Sequence, residues 1–474
     1  MPNIIGRKQE QQILQELYQR NRSEFIALYG RRRVGKTYLI KELFSKAYTF
    51  QLTGLSKGNT KQQLQNFHAS LLRFDPSKQD DAIPTSWFSA FQLLIHYLEN
   101  VTTNRKVVFI DELPWLDTPR SDFMTALEHF WNAWAFHRND IFLVVCGSAT
   151  SWMINELINN HGGLHNRVTK RIYLKPFTLK ETEAFLTAKG SVFGRYEIVQ
   201  LFMAIGGIPF YLEEVNVRES IAQNIDRLFF SEYGILRTEF QNLYASLFKK
   251  QERHIAIVEA LAKKAKGLSR GDLAKAAKLS QGGRFTKVLK ELEQCGFIQK
   301  YLPFGKKKKG SLYQLTDQYS LFYLKFVKNS KSSGAGAWLS MIDHPAWRAW
   351  RGYAFERICI YHLAQIKKHL GIEVVHTEVS AWKSSSSEQA AQIDLVIDRR
   401  DRIIHLCEIK FSENPFPITK AYAAQLRQKI SAFKQESKTN KSIFLTFITT
   451  YGLVQNQYAR QLVQQELKMD FLFE

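Results

Sequence analysis

EFIALYGRRRVGKTYLIKELF, residues 24–44, is the stretch that decides the fold. Within it FIALY, Phe25 to Tyr29, forms a short apolar run suited to a buried strand, and the run stops at Gly30. At the other end, YLIKELF repeats apolar residues at helical spacing. Between them stands a complete GxxxxGK[ST] set, Gly30 to Thr37. In that strand-to-helix context glycines let backbone N–H groups close around phosphate oxygens, a lysine reaches the β- and γ-phosphates, and a hydroxyl takes Mg²⁺. The expected nucleotide-binding set is Gly30, Arg31, Arg32, Arg33, Val34, Gly35, Lys36, Thr37 and Tyr38, with ATP and Mg²⁺ as the ligands.

Upstream, residues 8 to 20 carry Ile13, Leu14 and Leu17 at helical spacing. Downstream, YTFQLTG, KVVFIDE, DIFLVVCGS and KRIYLKPF read as further strands, separated by helical segments such as SDFMTALEHFWNAWAF. That alternation predicts an α/β fold with a parallel sheet. KVVFIDE ends in two acids: Asp111 is placed to hold Mg²⁺ through water, and Glu112 to polarise the attacking water. From about residue 178 the pattern becomes helical, interrupted at Gly206-Gly-Ile-Pro209, which predicts a helical lid.

These features together resemble the AAA-type ATPases of the archaeal ATPase family, related to the signal-transducing ATPases with numerous domains. The residues that carry the likeness are Ile5-Gly6-Arg7, GRRRVGKT, VVFIDELPWLD, VVCGSA, Asn166-Arg167 and GGIPFYL, over about residues 1 to 250. The resemblance implies that Ile5, Gly6 and Arg7 line an adenine pocket and that Ser148 senses the γ-phosphate; a helix N-cap is the other reading of Ser148. It implies for Arg167 a role in neutralising transition-state charge, in a neighbouring subunit of a homo-oligomer or in its own. Arg171 and Lys170 lie close by, and the sequence does not choose among them. Pro209 matches the lid proline of the family, or simply breaks a helix.

The chain has 474 residues, 45% hydrophobic and 23% charged, an ordinary composition for a folded chain long enough for about three domains. Lys and Arg exceed Asp and Glu by 66 to 44, a surplus that favours polyanionic partners. Cys146, Cys295, Cys359 and Cys407 show no CxxC spacing, which excludes a disulfide scaffold and a Cys-based zinc site; the histidines show no HExxH either. No apolar run reaches the roughly 18 residues of a membrane span. A cytoplasmic protein without membrane partners is expected.

Residues 254 to 317 carry 14 Lys and Arg against 5 Asp and Glu. HIAIVEALAKKA, SRGDLAKAA and GGRFTKVLKELEQCG read as three helices, Ser269 and Asp272 as a capping box, and two strands flank FGKKKKG. The order resembles a winged helix, with Arg284, Thr286, Lys287 and Lys290 facing the major groove of DNA and Lys306 to Lys309 along its backbone. A protein-docking or spacer role is the competing reading. NSKSSGAGA, residues 329 to 337, lacks apolar periodicity and reads as a linker. The expected division is an ATPase core at 1–177, a lid at 178–250, a winged helix at 251–328 and a last module at 338–474.

In that module AWRGYAFERICIYHLAQI reads as a helix, QIDLVID and RIIHLCEIKF as strands joined by a turn, AYAAQLRQKISAFKQ as a helix and SIFLTFIT as a strand. Asp394 stands 14 positions before Glu408, so the turn can bring both acids to one end of a sheet to hold Mg²⁺, with Lys410 on the same strand face as Glu408. That geometry permits a metal-assisted nuclease in which Lys410 positions the nucleophile. The pattern resembles the PD-(D/E)xK phosphodiesterase superfamily over about 345 to 450, which implies Glu356 as an additional acid near the metal; Gln392 stands where the superfamily has a proline. Trp115, Trp131, Trp134, Trp347 and Trp350 are expected in cores or interfaces. Two functions emerge: an ATPase that binds DNA and cleaves it, or an ATP-driven switch or scaffold whose nuclease-like module does not cut.

Overall fold

The structure, a computed structural model, describes residues 4–474 except 160, 161, 165, 249, 307–309, 331–333, 335, 343 and 385–390. The chain divides into two compact units: one ends at Pro176, apart from a short return of chain near residue 245, and the other comprises the rest.

The first unit is built on strands β1 (Glu24–Tyr29), β2 (Tyr48–Thr53), β3 (Lys106–Asp111), β4 (Ile141–Gly147) and β5 (Lys170–Tyr173). They form one sheet in the order β2-β3-β4-β1-β5, and every neighbouring pair is parallel. All residues of β3 and β4 are buried, the continuous apolar pattern of strands covered on both faces. Helices α1 (Lys8–Tyr18), α2 (Lys36–Phe44), α3 (Thr60–Phe74), α4 (Trp87–Asn100) and α5 (Phe123–His129) alternate with the strands. Capping boxes at Asn59/Gln62 and Ser86/Ser89 begin α3 and α4. Phe67, Trp87, Phe91, Phe123, Phe130 and Trp131 make a buried aromatic core. The stretch read as helical, residues 121–136, is helical from Phe123 onward: α5 runs to His129, then the backbone widens into a π-type turn over Phe130–Trp134 and tightens into a 3-10 turn over Ala135–His137. Because β4 lies between β1 and β3, with Tyr29 beside Gly147 and Ile110 beside Val145, the residues following all three strands emerge at one sheet edge.

The second unit opens with helices Leu179–Ala188, Arg195–Ile205, Pro209–Glu213 and Ile221–Phe229. Pro209 occupies the first turn of its helix, where its missing N–H costs nothing. Helices Glu252–Ala262, Arg270–Ala276 and Gly283–Gln294 follow, with an antiparallel sheet of β6 (Leu268–Ser269), β7 (Ile298–Tyr301) and β8 (Leu312–Leu315) in the order β6-β8-β7. Ser269 caps the second of these helices by accepting from the Asp272 N–H. In the third helix Phe285, Val288, Leu289 and Leu292 are buried while Arg284, Thr286, Lys287 and Lys290 are exposed. Lys307, Lys308 and Lys309 lie outside the described residues.

Of the stretch read as a linker, 331–333 and 335 also lie outside them. The Gly336 and Trp338 N–H groups donate to the Asp226 carboxylate at 2.7 and 2.6 Å, and Trp338 is buried against Phe322, Phe326 and Trp347. At Gly336 and Trp338, therefore, the backbone is bonded to a buried carboxylate.

The C-terminal part contains helices Pro345–Tyr361 and Leu363–His369, then β9 (Thr377–Lys383), β10 (Gln392–Arg399), β11 (Ile403–Lys410), helix Lys420–Ser437, β12 (Ser442–Thr449) and β13 (Gln465–Lys468). The sheet order is β13-β12-β11-β10-β9. The β9/β10 and β10/β11 pairs are antiparallel; β11/β12 and β12/β13 are parallel, the long helix making the β11-to-β12 crossover. Strands β6, β9 and β13 were not anticipated from the sequence. No described helix is long and apolar enough to cross a membrane.

Candidate functional site

The phosphate loop joins β1 to α2. Gly30 has φ +150°, and a Cβ there would stand 2.3 Å from the Leu174 carbonyl oxygen, so only glycine lets the chain pass β5. Gly35, at φ +91°, turns the chain into α2. Lys36 is buried and its Nζ donates to the carbonyls of Gly30 and Arg31, both at 3.0 Å, which curls the loop around the ammonium group. Arg7, in the left-handed region like Gly6, donates to the Val34 carbonyl at 3.1 Å and ties the Ile5-Gly6-Arg7 segment to the loop. Tyr38 is exposed.

The Thr37 hydroxyl donates to Asp111 Oδ2 at 2.7 Å, although 74 positions separate the two. Asp111 is buried; desolvation raises its pKa, opposed by the Thr37 hydrogen bond and reinforced by the charge of Glu112. Hard oxygen donors of this kind fit Mg²⁺. Glu112 follows with φ +48° and ψ +46°, uncommon for a residue with a side chain. Its carboxylate accepts the Ser148 hydroxyl, which lies 2.8 Å from each oxygen, and the Ser148 N–H at 3.3 Å. Ser148 thus sits on the acid at the end of β3. The helix cap falls at Ala149 and has no side-chain bond, so the N-cap reading of Ser148 is set aside. The Arg167 guanidinium lies 4.8 Å over the ring of Phe136, and Arg171 donates weakly to the Ile158 carbonyl at 3.5 Å.

The second constellation is in the C-terminal sheet. The antiparallel register pairs Leu395 with Cys407, which puts Asp394 and Glu408 at the next opposed positions, beside an irregularity in β10 between Ile393 and Val396. Glu408 is buried. Its Oε1 accepts Lys429 Nζ at 2.6 Å; its Oε2 accepts the Tyr422 hydroxyl at 2.9 Å and lies 3.6 Å from Lys410 Nζ. Lys410 Nζ also stands 5.2 Å from the centre of the Tyr422 ring. Asp394 Oδ1 accepts from the Gln392 side chain at 2.6 Å and from Lys266 Nζ. Gln392, the departure from the proline of the resembling superfamily, therefore orients an acid. Burial, then the Asp394 carboxylate, push Glu356 up to about 8, with Lys266 and Arg357 opposing. Among the described residues no group of three or more His, Cys, Asp and Glu is gathered as a metal-binding cluster. Asp394 and Glu408 have the donor chemistry of a hard-cation site, yet each already meets lysine. Tyr422, Lys429 and Lys266 were missed in the sequence; the seven-residue spacing of Tyr422 and Lys429, two helical turns on one face, was the available signal. The four cysteines are buried and unpaired with one another.

The first unit has the fold of a P-loop nucleotide-binding protein of the ATPase type, with loop, acids and serine on one sheet edge. Residues 5–215 match the profile of an ATPase domain predominantly from Archaea. An uncharacterized protein of Methanocaldococcus jannaschii is 23% identical over 431 residues, 86% of this chain and 88% of that one. An uncharacterized ATP-binding protein of the same organism is 50% identical over 39 residues, 8% of this chain and 66% of that one. Among solved structures, a Walker-type ATPase of Pyrococcus abyssi is similar over 68% of this chain and 97% of its own, with a TM-score of 0.50 and 17% identity. That similarity concerns the fold.

Proposed function

We propose that the chain binds ATP with Mg²⁺ and hydrolyses it, and that it binds DNA through its basic helix-and-hairpin module. The observation that carries the first part is the convergence of Lys36, Thr37, Asp111, Glu112 and Ser148 at one edge of a parallel sheet. Lys36 neutralises β- and γ-phosphate charge, loop N–H groups hold the phosphates, and Glu112, aimed by Ser148, orients the attacking water. Thr37 and Asp111 are the residues to hold Mg²⁺, which when bound supplies further charge neutralisation. Phosphate release and binding of a fluorescent ATP analogue test this. Lys36→Ala should weaken binding, whereas Glu112→Gln should keep binding and slow turnover by about a hundredfold. Unchanged hydrolysis in both variants overturns the assignment.

DNA binding is supported by the exposed row Arg284, Lys287 and Lys290 on a helix whose opposite face is buried. The resemblance to a winged helix and to the PD-(D/E)xK phosphodiesterases extends the proposal to metal-dependent cleavage at Asp394 and Glu408, with Lys410 stabilising charge beside the acid. A divalent cation held there would polarise the phosphodiester. Cleavage of single- and double-stranded DNA with Mg²⁺ or Mn²⁺, lost in Glu408→Ala, is the expected result. The lysines seated on both acids favour a second reading, a nucleotide-driven switch that engages DNA without cutting it. No cleavage under any of these conditions selects that reading.

A further inference from the structure

Lys266 belongs to the basic helix-and-hairpin module, 128 positions before Asp394, yet its ammonium group is seated on Asp394 Oδ1. Its backbone is fixed on several sides. The Tyr301 hydroxyl donates to the Lys266 carbonyl at 2.5 Å, and the Gln314 amide donates to the carbonyl of Ala265. The Gly267 N–H donates to the Lys264 carbonyl at 2.8 Å. Gly267 adopts φ +77°, and a Cβ there would stand 2.3 Å from the Tyr313 carbonyl oxygen, so the turn cannot shift toward β8. The hairpin that supplies Tyr301 and Gln314 is itself anchored to the acid-bearing sheet. The Phe304 N–H donates to the Ala381 carbonyl of β9 at 2.8 Å, and the Phe304 ring packs at 5.0 Å on Phe433, from the helix that carries Tyr422 and Lys429. The lysine is delivered to the acid by a built scaffold.

The pair contributes little to folding, because the Lys266 side chain is half-exposed and solvent screens such pairs. Its consequence is chemical: it places a cation on an oxygen that a metal would need. We propose that Lys266 is a built-in competitor for divalent cation at Asp394, so that metal enters only as the ammonium group leaves. The inference rests on the reading of Asp394 and Glu408 as metal ligands. An ammonium group and a hard divalent cation are alternative partners of one carboxylate oxygen, and their mutual repulsion disfavours both at once. Lys266 has the freedom this exchange requires, since four methylenes beyond a pinned backbone can swing its head into solvent.

The test is direct binding of Mn²⁺ alone to the nucleotide-free 474-residue chain, followed by the electron paramagnetic resonance signal of free Mn²⁺. Binding by Asp394→Asn is subtracted to isolate this site. Lys266→Gln and Lys266→Ala should each tighten the Asp394-dependent binding by about tenfold. Lys266→Arg, which keeps the charge, should stay near the wild type. Thermal unfolding run alongside shows whether a variant has kept its fold. Binding that is measurable in the wild type but unchanged or weakened in Lys266→Gln overturns the competitor role and leaves the metal reading standing. Absence of Asp394-dependent binding from every protein, Lys266→Gln included, overturns both.

Discussion

Glu112 shows how a single residue is held in an uncommon conformation. Its left-handed backbone costs about 1 kcal/mol, a strain tolerated where the surroundings over-determine it. The backbone is held by the Glu112 N–H on Asp111 Oδ1 at 2.9 Å and by the Trp115 N–H on the Glu112 carbonyl at 3.0 Å, while Ser148 reaches both carboxylate oxygens from the neighbouring strand end. If Ser148 acts by aiming Glu112, Ser148→Ala should leave ATP affinity within about twofold and lower turnover about tenfold. Ser148→Thr, which keeps the hydroxyl, should recover part of the rate. A proportional loss of affinity and thermal stability would instead mark a structural role. Gly30 makes the complementary case, because its side chain must be absent. Gly30→Ala drives a Cβ into the Leu174 carbonyl and should lower unfolding free energy in urea by about 1–3 kcal/mol.

Helix Leu179–Ala188 presents its first N–H groups to the interior of the second unit, and a side chain of helix Pro345–Tyr361's C-cap answers one of them. His362 is buried; Nδ1 lies 2.8 Å from the Ile358 carbonyl and Nε2 accepts the Leu179 N–H at 3.0 Å. Only the neutral ring can donate from one nitrogen and accept at the other. Burial pushes its pKa down to about 4. The unfolded chain, with histidine near 6.5, therefore takes up the proton first, so this contribution is full above about 6.5 and is lost as pH falls toward 4. Its size is about 3 kcal/mol. His405 is shifted in the same direction, chiefly by burial and then by Arg399, so the informative quantity is a difference between proteins. His362→Gln can make both hydrogen bonds without titrating. It should show a shallower loss of unfolding free energy between pH 6.5 and 4 than the wild type, and parallel curves would refute the role.

At the scale of the whole molecule, what could be read from the sequence was whatever a local pattern encodes. The strands around the phosphate loop are apolar runs ending in glycine or acids, and β4 is buried at every position, so period and composition marked them. Strand β9 has only Trp382 fully buried and offered no such contrast. Lys266 and Asp394 meet because the hairpin docks on β9, and nothing near either residue announces a partner 128 positions away. Charge was legible both in amount and, on one helix, in place: 14 of the 66 basic residues fall in 254–317, and Arg284, Lys287 and Lys290, singled out from the sequence, are exposed in the fold. Thr286 on that helix accepts from Arg270 at 2.8 Å and donates to the Gly282 carbonyl at 3.1 Å; under the proposal of DNA binding, Arg284, Lys287 and Lys290 are the cations that meet the phosphates. Each phosphate neutralised releases about 0.9 counterion from duplex DNA, so replacing all three with Gln should flatten the dependence of log affinity on log salt by about 2 to 3. Because phosphates carry no sequence information, the loss should be the same on unrelated duplexes. Fluorescence anisotropy of the 474-residue chain across a salt series checks both statements. A slope unchanged by the triple substitution, or a complex indifferent to salt, would return this module to a spacer or protein-docking role.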